Sequence, residues 1–485
     1  MDGVTLAAPR IDTHISHVFL TQDRVYKMKR PVKLPFLDFT TVALRHRACL
    51  AELEANRLLA PGMYLGVEPI VAAGGGRYRI GGPGEPLDWV VVMKRFDQAD
   101  QFDELARAGR LTPELIDQTA DVIAAAHAAA VPVPTAGHTA DYRGIIRELR
   151  ATEIHGAHQM DLDPGDPAVF DLLDAELAHI DPLIEARRRA GKVHRTHADL
   201  HLRNICLFEG RPTPFDAMEF DVHMATIDRL YDLGFLLMDL VRMDHGADAN
   251  RLMNRYWDTS GEEEGAFRVL PFFMALRAVV RFAVSVEEGK LGDASAYRQL
   301  ALKLLTPEPP RSVCVGGLSG VGKTTIARAI AAHLPGPAGG RLLRTDVLRK
   351  QALGQNPEAP ARMPGGLYSE VGRASVYDVM FQHSNAALDA GISTVLDATF
   401  QSEMMRFEGA AHRYRQPTTG IWLEAPLEVR LARIAGRRGD ASDADAEVAR
   451  AQQEPEVLDK FGGWHRVDAS GTVEETIANA LAVLA

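Results

Sequence analysis

Apolar and polar residues alternate in short runs through the first ninety or so residues, in SHVFL (16–20), RVYKMK (24–29) and DWVVVMKRF (88–96). A period of two predicts strands with one buried face. One helical stretch, from about Arg45 to Leu59, interrupts them. From about Asp100 to Leu305 the period lengthens to three or four, in ELIDQTADVIAAAHAAA, FDLLDAELAHIDPLIEARRRA and LYDLGFLLMDLVRM, which predicts amphipathic helices. Beyond residue 311 strands and helices alternate, in SVCVGG, KTTIARAIAAHL, RLLRTD, STVLDATF and TGIWLEA. That order predicts a parallel sheet with helices on both faces. The chain therefore reads as two parts, an N-terminal α+β bilobal fold and a C-terminal α/β fold.

The segment TPEPPR, residues 306–311, places three prolines between a helical pattern and a buried strand, and marks a linker. The expected division is a small lobe over 1–98, a helical large lobe over 99–305, the linker 306–311 and a third region over 312–485. A chain of 485 residues exceeds what one hydrophobic core covers, about 250–300 residues.

The net charge of −11 argues against a broad nucleic-acid or anionic-lipid footprint, and favours small-molecule partners. Cys49, Cys206 and Cys314 lie far apart without a CxxC, which argues against a disulfide framework or zinc site and for a reducing cytoplasm. The N-terminal MDGVTLAAPRID lacks a signal pattern, and no apolar run approaches the ~18 residues of a membrane span, so neither export nor membrane insertion is expected. Periodicity leaves the oligomeric state open.

The segment from Gly317 to Thr325, GLSGVGKTT, satisfies GxxxxGK[ST] between an apolar strand and a helix. Gly317, Ser319, Gly320, Val321 and Gly322 would wrap backbone N–H groups around a β-phosphate at a helix N-terminus. Lys323 would reach the β- and γ-phosphates, and Thr324, followed by Thr325, would offer its hydroxyl to Mg²⁺. ATP and Mg²⁺ are the cofactors this predicts.

The next strand ends in Thr345 and Asp346, with Arg349 one turn later, and the region resembles small P-loop kinases such as polynucleotide and gluconate kinases. The resemblance implies that Asp346 takes the acceptor hydroxyl's proton. Asp397 and Thr399 end STVLDATF, where Asp397 is either a Mg²⁺ group facing the P-loop or only a helix cap. The stretch with Arg430, Arg433, Arg437 and Arg438 resembles the arginine-bearing lid of that group, which favours Arg433 and Arg437 as stabilisers of transition-state charge.

Residues 196–204, THADLHLRN, place Asp199 five positions before Asn204, and Asp216 lies twelve beyond it, after an apolar run that suits a hairpin. That spacing fits a phosphotransfer loop whose aspartate orients a hydroxyl and whose asparagine holds a metal. Residues 1 to about 300 resemble the aminoglycoside phosphotransferase and choline kinase branch of the kinase fold, whose loop reads HGDLHxxN. Ala198 stands where that family has glycine, and Phe215 where it has isoleucine. The resemblance implies Asp199 as base, Asn204 and Asp216 as Mg²⁺ ligands, and His197 and Asp232 as supports, with Glu219 and Asp221 competing for the metal role.

Lys27 and Lys29 share a strand face, and either could reach nucleotide phosphates, with Glu52 preferred to Glu54 as the partner. No GxGxxG precedes that strand. The joint pattern resembles bacterial fusions described as bifunctional aminoglycoside phosphotransferase/ATP-binding proteins. It implies an ATP-dependent phosphotransferase with two kinase sites acting on hydroxyls of small metabolites, such as sugars, aminocyclitols or aminoglycoside-like compounds. Two alternatives are one active domain gated by the other as a nucleotide sensor, and a nucleic-acid 5′-hydroxyl kinase.

Overall fold

The structure, a computed structural model, describes residues 9–34, 37–160, 169–355, 370–406, 418–436, 446–455, 458 and 463–485. They form two compact units, Met1–Leu162 with Asp174–Asp239, and Asp163–Leu173 with Leu240–Ala485.

In the first unit the alternating runs fold into a six-stranded antiparallel sheet. Its spatial order is Arg10–Asp12, Ser16–Leu20, Arg24–Lys29, Pro86–Lys94, Tyr64–Gly74 and Arg77–Ile80. Val25, Val91 and Met93 pack with Cys49 of the helix Val42–Asn56 in one apolar cluster. That helix starts where the Thr41 hydroxyl accepts the Leu44 N–H, satisfying one of the free amides of the first turn. Two strands, Tyr64–Gly74 and Arg77–Ile80, come from a glycine-rich stretch without clean alternation.

Further along, Ile205–Phe208 and Arg211–Pro214 form a hairpin turning at Glu209 and Gly210, both left-handed. The hairpin returns the chain to its start, where the Phe215 N–H donates to the Asn204 carbonyl at 2.8 Å. Positions 204 and 216, twelve apart in sequence, thereby become neighbours.

The second unit has a five-stranded, wholly parallel sheet in the order Arg341–Arg344, Thr394–Asp397, Ser312–Gly317, Thr418–Glu424, Trp464–Asp468. Ser312–Gly317 is central and buried at every position, as a strand covered on both faces must be. Val315, Ile326, Ile330 and Leu423 belong to one apolar core, while Leu396, Phe400, Trp422 and Trp464 belong to a second. This unit also takes in the helices Gly246–Ser260, Leu270–Glu287 and Leu291–Leu305, which precede the proline segment.

One helical stretch among the described residues, Glu264–Glu287, is apolar and long enough to cross a membrane by length and composition, against the expectation of no such run. Its apolar window is 78% buried, as in a core helix of a folded unit. Cys49, Cys206 and Cys314 are buried and unbridged.

Candidate functional site

The first unit gathers its polar residues around the 197–204 loop. Asp232 receives the backbone N–H groups of His197 and Ala198, at 3.2 and 2.8 Å, and Asp239 receives that of Leu202 at 3.0 Å. His197 Nε2 lies 2.8 Å from the Phe215 carbonyl. The loop is thus held by carboxylates on the helix Arg229–Arg242 and by the return of the hairpin. Asn204 Nδ2 donates to both the carbonyl and Oδ2 of Asp199, at 2.9 and 3.0 Å, which turns its own Oδ1 away from that aspartate. The Asp199 side chain is 44% exposed, so it faces solvent where an acceptor could approach.

Ala198 adopts φ 64°, the left-handed region where a Cβ is strained. Ala198→Gly is therefore expected to stabilise the first unit by up to about 1 kcal/mol, raising its thermal midpoint by roughly 2–4 °C. Differential scanning calorimetry checks this.

Asp216 is also left-handed, at φ 62°. Its N–H donates to the Tyr64 hydroxyl at 3.0 Å, and the next N–H, of Ala217, donates to Asn56 Oδ1 at 2.9 Å. Burial, reinforced by the Glu52 and Asp216 carboxylates, pushes Tyr64 well above its ordinary range, so its oxygen stays a neutral acceptor.

The strand Arg24–Lys29 then separates the two lysines by environment. Lys27 Nζ bonds Glu52 Oε1 at 2.9 Å and Asp216 Oδ1 at 2.5 Å, and its side chain keeps 12% exposure. Lys29 is fully buried, pairing with Glu52 Oε2 at 2.6 Å and with Glu219. Lys27 is the one of the pair that bonds Asp216. Glu219 is committed to Lys29, and Asp221 Oδ1 accepts the Met224 N–H at 2.9 Å. Burial by itself raises the Glu52 carboxyl, but the Lys27 and Lys29 ammoniums outweigh it and hold it at about 2. Its ionised form stabilises the fold above the ordinary glutamate pKa of about 4.3, and that contribution is lost as pH falls from there towards 2.

The two lysines should answer differently to mutation. Lys29→Met takes the buried Glu219 carboxylate's lysine away and leaves Glu52 with Lys27 alone, and is expected to cost about 3–5 kcal/mol of stability, read by urea unfolding. Lys27→Met takes one of two ammoniums from the buried Glu52 and is expected to cost less, about 1–3 kcal/mol, since Lys29 stays and Asp216 is partly exposed, while lowering nucleotide-dependent turnover at this site about 10–100-fold.

In the second unit the P-loop leaves the C-terminal end of the central strand, where open parallel sheets place their ligands. Gly322, at φ 102°, caps the helix Lys323–His333. Gly320, at φ 86°, has no room for a Cβ, which would meet the Arg430 carbonyl at 2.6 Å. Lys323 Nζ donates to the Leu318 carbonyl at 3.2 Å, folding back over the loop. Thr324 Oγ1 donates to Asp397 Oδ2 at 2.7 Å, and Arg344 Nε lies 3.8 Å from the same oxygen. Burial, with a further push from Asp346, raises the Asp397 carboxyl against the opposing pull of Lys323 and Arg344. Asp346 meets Arg349 Nη1 at 2.6 Å, and Thr399 Oγ1 lies 3.4 Å from the Tyr377 hydroxyl.

The described arginines of the 430–438 stretch differ in their contacts. Arg430 is buried and donates to the Ser319 and Ala449 carbonyls, so it braces the loop. Arg433 donates to the Val321 carbonyl at 3.0 Å and to that of Gly471 at 3.1 Å. Arg437 and Arg438 lie outside the described residues.

Some residues around the sites carry no motif. Tyr64 and Asn56 hold the backbone beside Asp216, and Gln452 Oε1 accepts the Ser319 N–H at 2.7 Å. Asn56 and Glu52, four apart on a buried helix face, leave a polar stripe that could have singled them out.

The oxygen donors at both sites suit a hard cation such as Mg²⁺: Asp216 and Asn204 at the first, Thr324 and Asp397 at the second. Among the described residues no group of three or more His, Cys, Asp or Glu side chains is arranged to hold a metal alone. Nucleotide phosphates and water would complete the coordination.

The second unit is thus a parallel α/β fold carrying a P-loop, and the first an antiparallel sheet followed by helices. A family model described as an AAA domain matches residues 313–455. The chain is 30% identical over 487 residues to Uncharacterized protein Rv2004c of Mycobacterium tuberculosis (strain ATCC 25618 / H37Rv), spanning 97% of this chain and 94% of that one. The chain belongs to the same family as this mycobacterial protein. Among solved structures it is similar to a choline/ethanolamine kinase family protein from Mesorhizobium loti, at 12% identity over 63% of this chain and 90% of that one, with a TM-score of 0.41. It is also similar to a gluconokinase from Sinorhizobium meliloti 1021, at 18% identity over 36% and 93% of the two chains, with a TM-score of 0.27.

Proposed function

We propose that the protein is an ATP-dependent phosphotransferase with two sites, each moving a γ-phosphoryl group to a hydroxyl of a small metabolite. The observation behind this reading is that each unit separately brings together a lysine, a carboxylate and a second aspartate. In the first unit these are Lys27, Asp216 and Asp199; in the second, Lys323, Asp397 and Asp346.

At the first site Asp199 receives the proton of the acceptor hydroxyl, and Lys27, steadied by Glu52, holds nucleotide phosphate. Asn204 orients Asp199 through its amide, and its own oxygen would be a ligand for the cation. At the second site Asp346 takes the corresponding proton, Lys323 and the P-loop amides hold the phosphates, and Arg433 stands beside them. Mg²⁺, when bound, neutralises phosphate charge as the bond to the leaving group lengthens. Asn204 and Asp216 would hold it at the first site, Thr324 and Asp397 at the second.

The acceptors are sugars, aminocyclitols or related polyols, in keeping with the net charge of −11 and the absence of a basic-aromatic stripe in the sequence. Mg²⁺-dependent ATP consumption against a panel of sugars, aminocyclitols, aminoglycosides, nucleosides and 5′-hydroxyl oligonucleotides tests this. Stimulation by a small polyol supports the reading; stimulation by oligonucleotides alone would replace it with end repair.

A further inference from the structure

The edge of the parallel sheet in the second unit is covered in an unusual way. Arg341–Arg344 is its terminal strand, and an edge strand ordinarily leaves N–H and C=O groups without partners. Here the helix Gly246–Ser260 meets it with Asn250, Asn254 and Asp258, spaced four apart and so aligned on one helix face. Asn250 Nδ2 donates to the carbonyls of Ala338 and Gly340 at 2.8 and 2.9 Å. Asn254 Nδ2 donates to the Gly340 carbonyl at 3.1 Å, and its Oδ1 accepts the Leu342 N–H at 2.7 Å. The carboxamides thus supply what a further strand would.

Charge completes the contact. Arg341, buried, meets Asp258 Oδ1 at 2.7 Å and both Glu264 oxygens at 3.2 Å. Glu264 also faces His383 Nδ1 at 3.0 Å, and Gln351 Nε2 donates to the Asp258 carbonyl at 2.8 Å. The two ends of the strand–helix arm 341–352 are therefore tied to residues that precede the proline segment and lie outside the 313–455 match. Between those ties sit Asp346 and Arg349.

We propose that the ladder Asn250, Asn254 and Asp258, with Glu264, is a positioning device for the second site: it sets the arm that carries Asp346 against the P-loop. This rests on the reading of the second unit as a phosphotransferase site. Buried amides and carboxylates are costly unless paired, so a ladder of three on one helix face has a single register against the strand. The nucleotide side, Lys323 and Thr324, makes none of these contacts.

The test uses the full chain with Mg²⁺ and ATP as probes and water as the phosphoryl acceptor. Asn254→Leu removes the two-sided amide, and Gln351→Ala removes only the far tie and spares the core. Both should accelerate amide exchange across 341–352, about tenfold or more for Asn254→Leu and less for Gln351→Ala. Lys323-dependent ATP hydrolysis should lose kcat by a similar factor while KM for ATP stays within about twofold. Unchanged exchange across 341–352 in both variants would overturn the proposal. So would faster exchange with unchanged kcat, since the ladder would then be structural only. If Lys323→Ala leaves the parent's hydrolysis intact, the phosphotransferase reading of this unit fails and takes the catalytic claim with it, while the exchange data still decide whether the ladder holds the arm.

Discussion

Asp199→Asn is expected to lower acceptor-dependent transfer at the first site by about 10²–10⁴-fold, the usual worth of a positioned general base. The substitution keeps the shape of the side chain and its acceptor oxygen, so the bond from Asn204 Nδ2 can persist. The loop is held mainly through backbone N–H groups reaching Asp232 and Asp239, which the change does not touch. The loss should therefore fall on kcat, with nucleotide affinity nearly unchanged, and transfer dependent on Lys323 should continue. Steady-state kinetics with isothermal titration of ATP separate these effects.

Lys323→Ala should remove the other activity, by about 10²–10³-fold in kcat/KM with weakened ATP binding. The ammonium is the group of this P-loop that reaches furthest along a bound triphosphate, and alanine leaves its phosphate contacts unmade. Gly320, Gly322 and the Thr324–Asp397 bond are independent of the lysine side chain, so the loop itself should survive. A far-ultraviolet spectrum like the parent's, with intact Asp199-dependent transfer, is the expected accompaniment.

The sequence made the elements with clean periodicity legible. SHVFL, RVYKMK and SVCVGG became strands over the same residues, since alternation or a continuous buried run leaves little choice. Tyr64–Gly74 and Arg77–Ile80 escaped because Pro69, Gly66 and three consecutive glycines at 74–76 weaken strand propensity. Pairing of Tyr64–Gly74 with Pro86–Lys94, and of Arg77–Ile80 with Tyr64–Gly74, overrides that weakness, a tertiary effect that no local window contains.

The sites divide in the same way. Asp199, Asn204, Asp216, Lys323 and Thr324 are legible because they stand at the spacings of the motifs they match. The supports obey no spacing: Tyr64 meets Asp216 across 152 positions, and Gln452 meets Ser319 across 133. Lys27 and Lys29 could not be separated by alternation, since both point to one face. Glu219, from a distant loop, separates them by claiming Lys29.

The most direct test of two independent phosphotransfer sites is Mg²⁺-dependent ATP turnover across the acceptor panel, in the parent, Asp199→Asn, Lys323→Ala and the double variant. Two sites predict that each single variant loses turnover with a different acceptor and keeps the other, and that the double variant loses both. Turnover with every active acceptor surviving in the double variant would contradict the assignment of both sites.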